Sequence, residues 1–324
     1  MPKTFGKVFA QAAVLLALGI GCGDGGGSNP DAPASNGPPA QDAAARETGG
    51  AALPYCTDKP ALAGVTDLSG TWVARAVGSQ IVKAPVVGHL QVKSLYYLLL
   101  DISQTGAEVA VEGRYCDRRE IDDPHSPTPV TIPDAWAHTE KTIHRTGTFA
   151  AGSDGIPVLR LPATPESVEF VGARLLSVDE PLPTLPTDPR VIDEDNDGHP
   201  GITVRIAGMV TGSIYAVQRQ TTAVTAIPVG ADRVEGALDF SSTQNVLASD
   251  PATVALLYSQ SVTVPDPVAC NSTFTMVRVA GAGPGDGGGL DAAGVDGGVA
   301  GDGGGAPGCA WVREHEVDLF PSPP

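Results

Sequence analysis

The chain has 324 residues, 20 of them basic and 37 acidic, for a formal net charge of −17. That balance, with no basic stripe carrying interleaved aromatics, argues against nucleic acid as a partner. Acidity of this order favours solubility and affinity for cations. In chain order, Lys3 and Lys7 come first, followed by an apolar run from Val8 to Ile20 that only Gln11 and Gly19 interrupt. This run falls short of the ~20 residues a spanning helix needs, so residues 1–21 read as a cleaved export signal. Its removal leaves 18 basic residues against 37 acidic ones. No later segment is long and apolar enough to cross a membrane as a helix.

Cys22 stands directly after the apolar run, behind Gly21. This arrangement resembles the lipobox of bacterial lipoproteins, although Gly19 occupies the place where that family prefers leucine. The resemblance implies that Cys22 is lipidated and becomes the first residue of a membrane-tethered chain facing the periplasm or the cell surface. Residues 23–54 are Gly, Ala, Pro, Asn and Asp with almost no large apolar side chain, too little to offset the entropy of ordering, so residues 22–55 read as a disordered tether.

Export puts the remaining cysteines, Cys56, Cys116, Cys270 and Cys309, in an oxidising compartment, where four imply two disulfides with three pairings open. The expected pairs are Cys56–Cys116 and Cys270–Cys309, each closing a loop near one end of the domain. Zinc is disfavoured because no two cysteines have the close spacing of a zinc ribbon.

Residues 56–280 suit one domain. Leu68 to Arg75 alternates after a turn, and Leu95 to Ile102 and Glu108 to Tyr115 read as a hairpin joined across Ser103–Ala107. Further strands are expected at Thr142 to Ala150, Ser167 to Ala173, Ile202 to Val210, Ser213 to Gln220, Arg233 to Phe240, Val254 to Tyr258 and Thr273 to Ala280, on their Val, Ile and Thr content. Short helices are expected from Pro133 to Lys141 and from Asp250 to Leu257, each with a proline near its first turn; the second overlaps the strand reading of Val254 to Tyr258. The class is mainly β, an antiparallel β-barrel or β-sandwich with few short helices. Within Leu68 to Val73, Gly70-Thr71-Trp72 resembles the Gly-x-Trp element that opens the first strand of lipocalins and, more loosely, of avidin-type barrels. That resemblance implies a barrel with Trp72 plugging one end; from the residues alone, Trp72 is a core tryptophan on a strand.

The one chemically pointed stretch runs from Asp193 to Gly201. Asp193, Asp195 and Asp197 alternate, Gly198 follows, and a strand begins at Ile202. Short carboxylates at every second position of a curling loop converge on one point, where they suit a hard cation bound through oxygen, with the His199 carbonyl as a further ligand. Calcium is the expected ion, in a structural role. The position where an EF-hand carries its bidentate glutamate is Val204, and no amphipathic helix flanks the loop. It resembles instead the Asp-x-Asp-x-Asp-Gly loops of dockerins and thrombospondin type 3 repeats. A remaining ligand is then expected from Asp188, Asp179, Asp239 or water; the bland reading is an acidic turn, which Asp and Asn favour on their own.

Residues 281–307 hold 13 glycines and 4 aspartates and read as a flexible insertion. Residues 308–324, with Cys309 to Val317, read as a terminal strand that completes the domain. No Gly-x-Ser-x-Gly elbow, His-Glu-x-x-His pair or phosphate-cradling loop occurs, and His138, His144 and His125 are poorly spaced for a metal. Binding or adhesion at the envelope surface is therefore the leading functional expectation. A lipocalin-like carrier of a small apolar ligand and a secreted hydrolase are the alternatives.

Overall fold

The computed structural model describes residues 55–84, 88–121, 129–208, 210–258, 262–279 and 307–321. The signal, Cys22, and nearly all of the tether and of the glycine-rich segment lie outside them. The strands are β1 (Gly70–Ala84), β2 (Gly88–Thr105), β3 (Glu108–Ile121), β4 (Val130–Thr131), β5 (Thr142–Ala151), β6 (Pro157–Leu161), β7 (Val168–Val171), β8 (Ile202–Ile206), β9 (Gly212–Gly230), β10 (Arg233–Asp250), β11 (Val262–Pro265) and β12 (Thr273–Arg278). The helices are α1 (Asp134–Ala137), α2 (Ala252–Tyr258) and α3 (Cys309–Leu319).

Eight strands form a ring. Each of β1, β2, β3, β5, β6, β9, β10 and β12 is antiparallel to the next, and β12 pairs with both β10 and β1. The staves follow chain order, so this is an up-and-down barrel in which ring closure removes the sheet edges. Of the two expected mainly β architectures, the barrel is the one found. Several staves are far longer than the three to ten residues usual for a strand. The far halves of β1 and β9 carry extra partners: β11 on β1, β7 and β8 on β9, and β4 on β8. The expected strands at Ser213–Gln220 and Arg233–Phe240 are therefore each less than half of the strand observed.

Alternation along each stave divides the core. Trp72, Ala74, Tyr96, Leu98, Leu100 and Phe274 point into the barrel. Val73, Val77, Leu95, Tyr97 and Leu99 point outward and are buried beneath α3 with Val312 and Phe320. β2 is thus covered on both faces, which is why Leu95 to Leu100 reads as an unbroken apolar run rather than an alternating one. A register shift in the β2–β3 pairing, where Leu98 lies opposite Tyr115 and Tyr97 opposite Asp117, leaves Cys116 as the extra residue of a bulge. One inserted residue reverses the side-chain parity. Tyr115 therefore faces the interior before the bulge and Arg118 and Glu120 face it after, while Cys116 turns outward.

Two expectations are corrected. The disulfides are Cys56–Cys270 and Cys116–Cys309. The segment before β1 runs back along β10, where Thr57 and Lys59 donate to Glu235, and β10 lies beside β12, so Cys56 reaches the chain before β12, while the outward Cys116 meets the first residue of α3. Cys309 to Val317 is a helix rather than a terminal strand closing a hairpin with β12, because both edges of β12 are already taken. Ala310, Arg313, Glu314 and Glu316 favour a helix intrinsically, and Cys309, Val312 and Phe320 supply its inward stripe. Val254 to Tyr258 is helical within α2, and α1 is shorter than expected.

Glu235 on β10 anchors the segment before β1. Burial pushes its carboxyl up, but hydrogen bonds from Lys59, Arg233 (2.6 Å) and Thr57 (2.7 Å) outweigh that and hold it at about 2. A carboxylate depressed in the folded state contributes stability that is fully present above its unfolded pKa near 4.5 and is lost as pH falls through about 2. Urea midpoints should therefore decline between pH 4.5 and 2, and Glu235→Gln should be less stable at pH 7 and decline less steeply; equal acid slopes in the two proteins would refute this role.

Candidate metal loop and barrel cavity

The three aspartates converge: one carboxylate oxygen from each of Asp193, Asp195 and Asp197 lies within 4.8 Å of the others. The loop is held by its own backbone. Asp193 accepts from the N–H groups of Asp197 (3.1 Å) and Gly198 (2.8 Å), and Asp197 accepts from that of His199 (2.9 Å). Asp195 Oδ2 accepts from the Thr203 N–H (2.8 Å), which ties the loop to the start of β8. Asn196 and Gly198 take positive φ, +55° and +87°, the curl that lets alternate side chains meet. Gly201, also at φ +87°, lies so close to β9 that a Cβ there would sit 2.2 Å from the Ala216 carbonyl oxygen.

Asp195 is only 2% exposed, and its Oδ1 has no partner. Burial is the first cause raising its pKa, and the Asp197 charge adds to it. The triad could hold a metal ion. The His199 imidazole is not part of it; that ring stacks on Tyr215 with centroids 4.1 Å apart. Of the acids expected to complete the ligand set, Asp188 is engaged by Arg190 at 2.7 Å, and neither Asp179 nor Asp239 joins the cluster.

Glu194, between two of the aspartates, faces the other way. It accepts from the Gly172 N–H, lies 3.5 Å from Lys141 Nζ, and lines a cavity of about 550 Å³ inside the barrel. Leu98, Leu100, Val111, Leu161, Val224 and Phe274 form the apolar wall of this chamber. Below it the barrel is filled: Trp72 is fully buried, its indole N–H donates to the Leu68 carbonyl at 2.8 Å, and the Arg278 guanidinium covers its ring at 4.4 Å. Tyr96 and Tyr115 line the chamber, and burial raises both phenols.

The charged groups around the chamber differ in how they are neutralised. Arg118 is 1% exposed; it donates to the Thr139 carbonyl (2.9 Å) and to Glu169 (3.3 Å) and lies 4.1 Å above the Tyr115 ring. Lys141 lies 3.5 Å from both Glu169 and Glu194. Arg145 on β5 is different. Its guanidinium donates to the Thr222 carbonyl, its Nε, like that of Arg118, has no partner, and among the described residues no carboxylate pairs with it. Burial lowers its pKa, the cost of a cation placed in an apolar chamber. Arg118, Arg145 and Glu120 carry no motif in the sequence. Only inward parity on β3 and β5 marks them, and on β3 that parity depends on the bulge.

No protein-family model matches this chain, and no curated protein does. Among solved structures, the structure of DynF from the dynemicin biosynthesis pathway of Micromonospora chersina aligns with 70% of this chain and 89% of that chain, at 9% identity and a TM-score of 0.27. Superposition at that score does not establish a common architecture. Among the described residues no helix is long and apolar enough to cross a membrane. The two disulfides are compatible with a location outside the cytoplasm.

Proposed function

We propose that this protein is an exported binding protein for a small apolar acid, held at the membrane by a lipid on Cys22 and stiffened by calcium. The observation that carries the ligand reading is Arg145, half-buried with its Nε enclosed and, among the described residues, without a carboxylate partner, on the wall of a 550 Å³ cavity whose lining is largely apolar. Specific small-molecule sites pair a largely apolar wall with a few polar groups that orient the ligand, and a guanidinium makes its strongest contacts with a carboxylate. An aliphatic chain would lie along Leu98, Leu100 and Val224, with its carboxylate at Arg145. The closed ring, the fully buried Trp72 and the chamber above it are what the Gly-x-Trp resemblance to lipocalins implies.

Calcium fits the loop chemistry: oxygen ligands, three carboxylates, and an orphan oxygen on Asp195 that a cation would satisfy. Asp193, Asp195 and Asp197 would hold the ion, and the His199 carbonyl would contribute as well. Because Glu194 turns from the same loop into the chamber, ordering the loop also fixes one wall of the ligand site. No catalytic group is assigned.

Three outcomes are expected. In a fluorescence titration with 11-(dansylamino)undecanoic acid, Arg145→Leu should weaken binding about tenfold to a hundredfold, the effect of losing one charged hydrogen bond; unchanged affinity would remove Arg145 from the site. Adding millimolar calcium should raise the thermal midpoint over that in chelator. Asp195→Asn should abolish this rise while melting higher than the parent in chelator, since it relieves the clustered charge; a parent midpoint indifferent to calcium would sink the metal reading. The full-length protein expressed in a bacterium should partition into the detergent phase of Triton X-114, and Cys22→Ala should move it to the aqueous phase; identical partitioning would exclude the anchor.

A further inference from the structure

Beyond the barrel chamber, a second cavity of about 270 Å³ lies between the long halves of β1, β2, β9 and β10 and the strands β4 and β8. Tyr96, Gln220 and Phe240 line both cavities and form the waist between them. The waist is tight: a Cβ added at Gly78 would sit 2.6 Å from the Phe240 ring. Val130, Ile132, Ile202, Val204, Ile206 and Ile214 make much of the second chamber aliphatic.

Into this chamber three elements bring polar atoms that have no partner: Gln80 Nε2 from β1, Glu120 Oε2 from β3 and Trp136 Nε1 from α1. Gln80 is 9% exposed and Trp136 2%. Glu120 lies opposite Ser94 in the register, and its other oxygen accepts from the Ser94 hydroxyl at 2.9 Å, which fixes the carboxyl on the inner face. Each buried polar group left unsatisfied costs about 1–3 kcal/mol, and native proteins hold few of them. Three around a single aliphatic chamber are the pattern of a binding site rather than of packing.

We infer that this chamber is a second binding site, for a small neutral molecule with an apolar body and a hydroxyl or carbonyl oxygen. That oxygen accepts from the Gln80 amide and the Trp136 indole, and a hydroxyl proton on the ligand goes to Glu120. The charges around Glu120 argue against an ionic ligand. On its own strand Arg118 pairs with Glu169 and donates to the Thr139 carbonyl, only its Nε being without a partner, and Arg119 pairs on the outer face with Asp117 and Glu316. β2 presents Ser94 and Tyr96, while β9 and β10 present amides such as Gln218 and Gln244. Among the described residues that line the chamber, no unpaired cation therefore awaits an acid. Burial also lifts Glu120 to about 7, so at neutral pH it is not a fixed anion for an amine. This site does not depend on Arg145 or on the acid proposed for the barrel chamber.

The test is the indole region of ¹H–¹⁵N spectra of the protein, with Trp136 assigned by Trp136→Phe. The probes are cyclohexanol, cyclohexanone, methylcyclohexane and cyclohexylamine. Cyclohexanol and cyclohexanone should move the Trp136 N–H downfield in a saturable way. The Trp72 N–H, already bonded to a carbonyl, should stay in place. Methylcyclohexane and cyclohexylamine should bind at least about tenfold more weakly than cyclohexanol, and Gln80→Leu should weaken cyclohexanol by about tenfold, the worth of one hydrogen bond with its desolvation. An unmoved Trp136 signal at saturating cyclohexanol, or methylcyclohexane or cyclohexylamine binding as well as cyclohexanol, would overturn the assignment. The comparison among probes on the unmodified protein holds even if the Gln80 variant fails to fold.

Discussion

Closure of the eight-stranded ring through β12, which bonds to β10 on one side and β1 on the other, is the constraint on which the remaining features depend. Once both edges of β12 are paired, a later segment cannot add to the sheet there and must pack on its surface. The C-terminal segment therefore becomes α3 and buries its apolar stripe on the outer face of β1 and β2. Closure also brings together parts of the chain far apart in sequence. Cys56 and Cys270 are 214 residues apart, and Cys116 and Cys309 are 193 apart. A ring in which only one end is packed solid, by Trp72 and its neighbours, keeps room inside.

The interior depends on a second, local feature, the bulge at Cys116. A strand without the extra residue would direct Cys116, Arg118 and Glu120 to one face. The bulge places Cys116 outside, where it can bond to α3, and leaves Tyr115, Arg118 and Glu120 inside. One added residue thus supplies the attachment of the helix, the guanidinium that packs on Tyr115, and the carboxyl that faces the second chamber. Bulges are common where a side chain must be re-aimed.

The acidic loop works by the same alternation at smaller scale. Asp193, Asp195 and Asp197 converge on one side while Glu194, on the other, reaches Gly172 and approaches Lys141 at the rim of the barrel chamber. Gly201 seats the loop against β9 with no space for a side chain. A cation bound there and a molecule bound in the barrel would thus share one short stretch of backbone. That sharing provides a physical route by which one could stiffen the other.

Features with a local cause were legible in the sequence. Alternation at Leu68 to Arg75 marked a strand, Gly106 marked a turn, and four cysteines marked two disulfides. Three aspartates at every second position marked a convergent loop, because short side chains on a tight curl meet whatever surrounds them. Features set by partners distant in sequence were not legible. The pairing of the cysteines, the helical state of Cys309 to Leu319 and the far halves of β9 and β10 all follow from which edges were occupied and which faces were covered. Arg145, Glu120 and Trp136 were unremarkable as letters. Their chemical character comes from one enclosed atom on each, Arg145 Nε, Glu120 Oε2 and Trp136 Nε1, that has no partner, and that enclosure is decided only when strands from across the chain close around them.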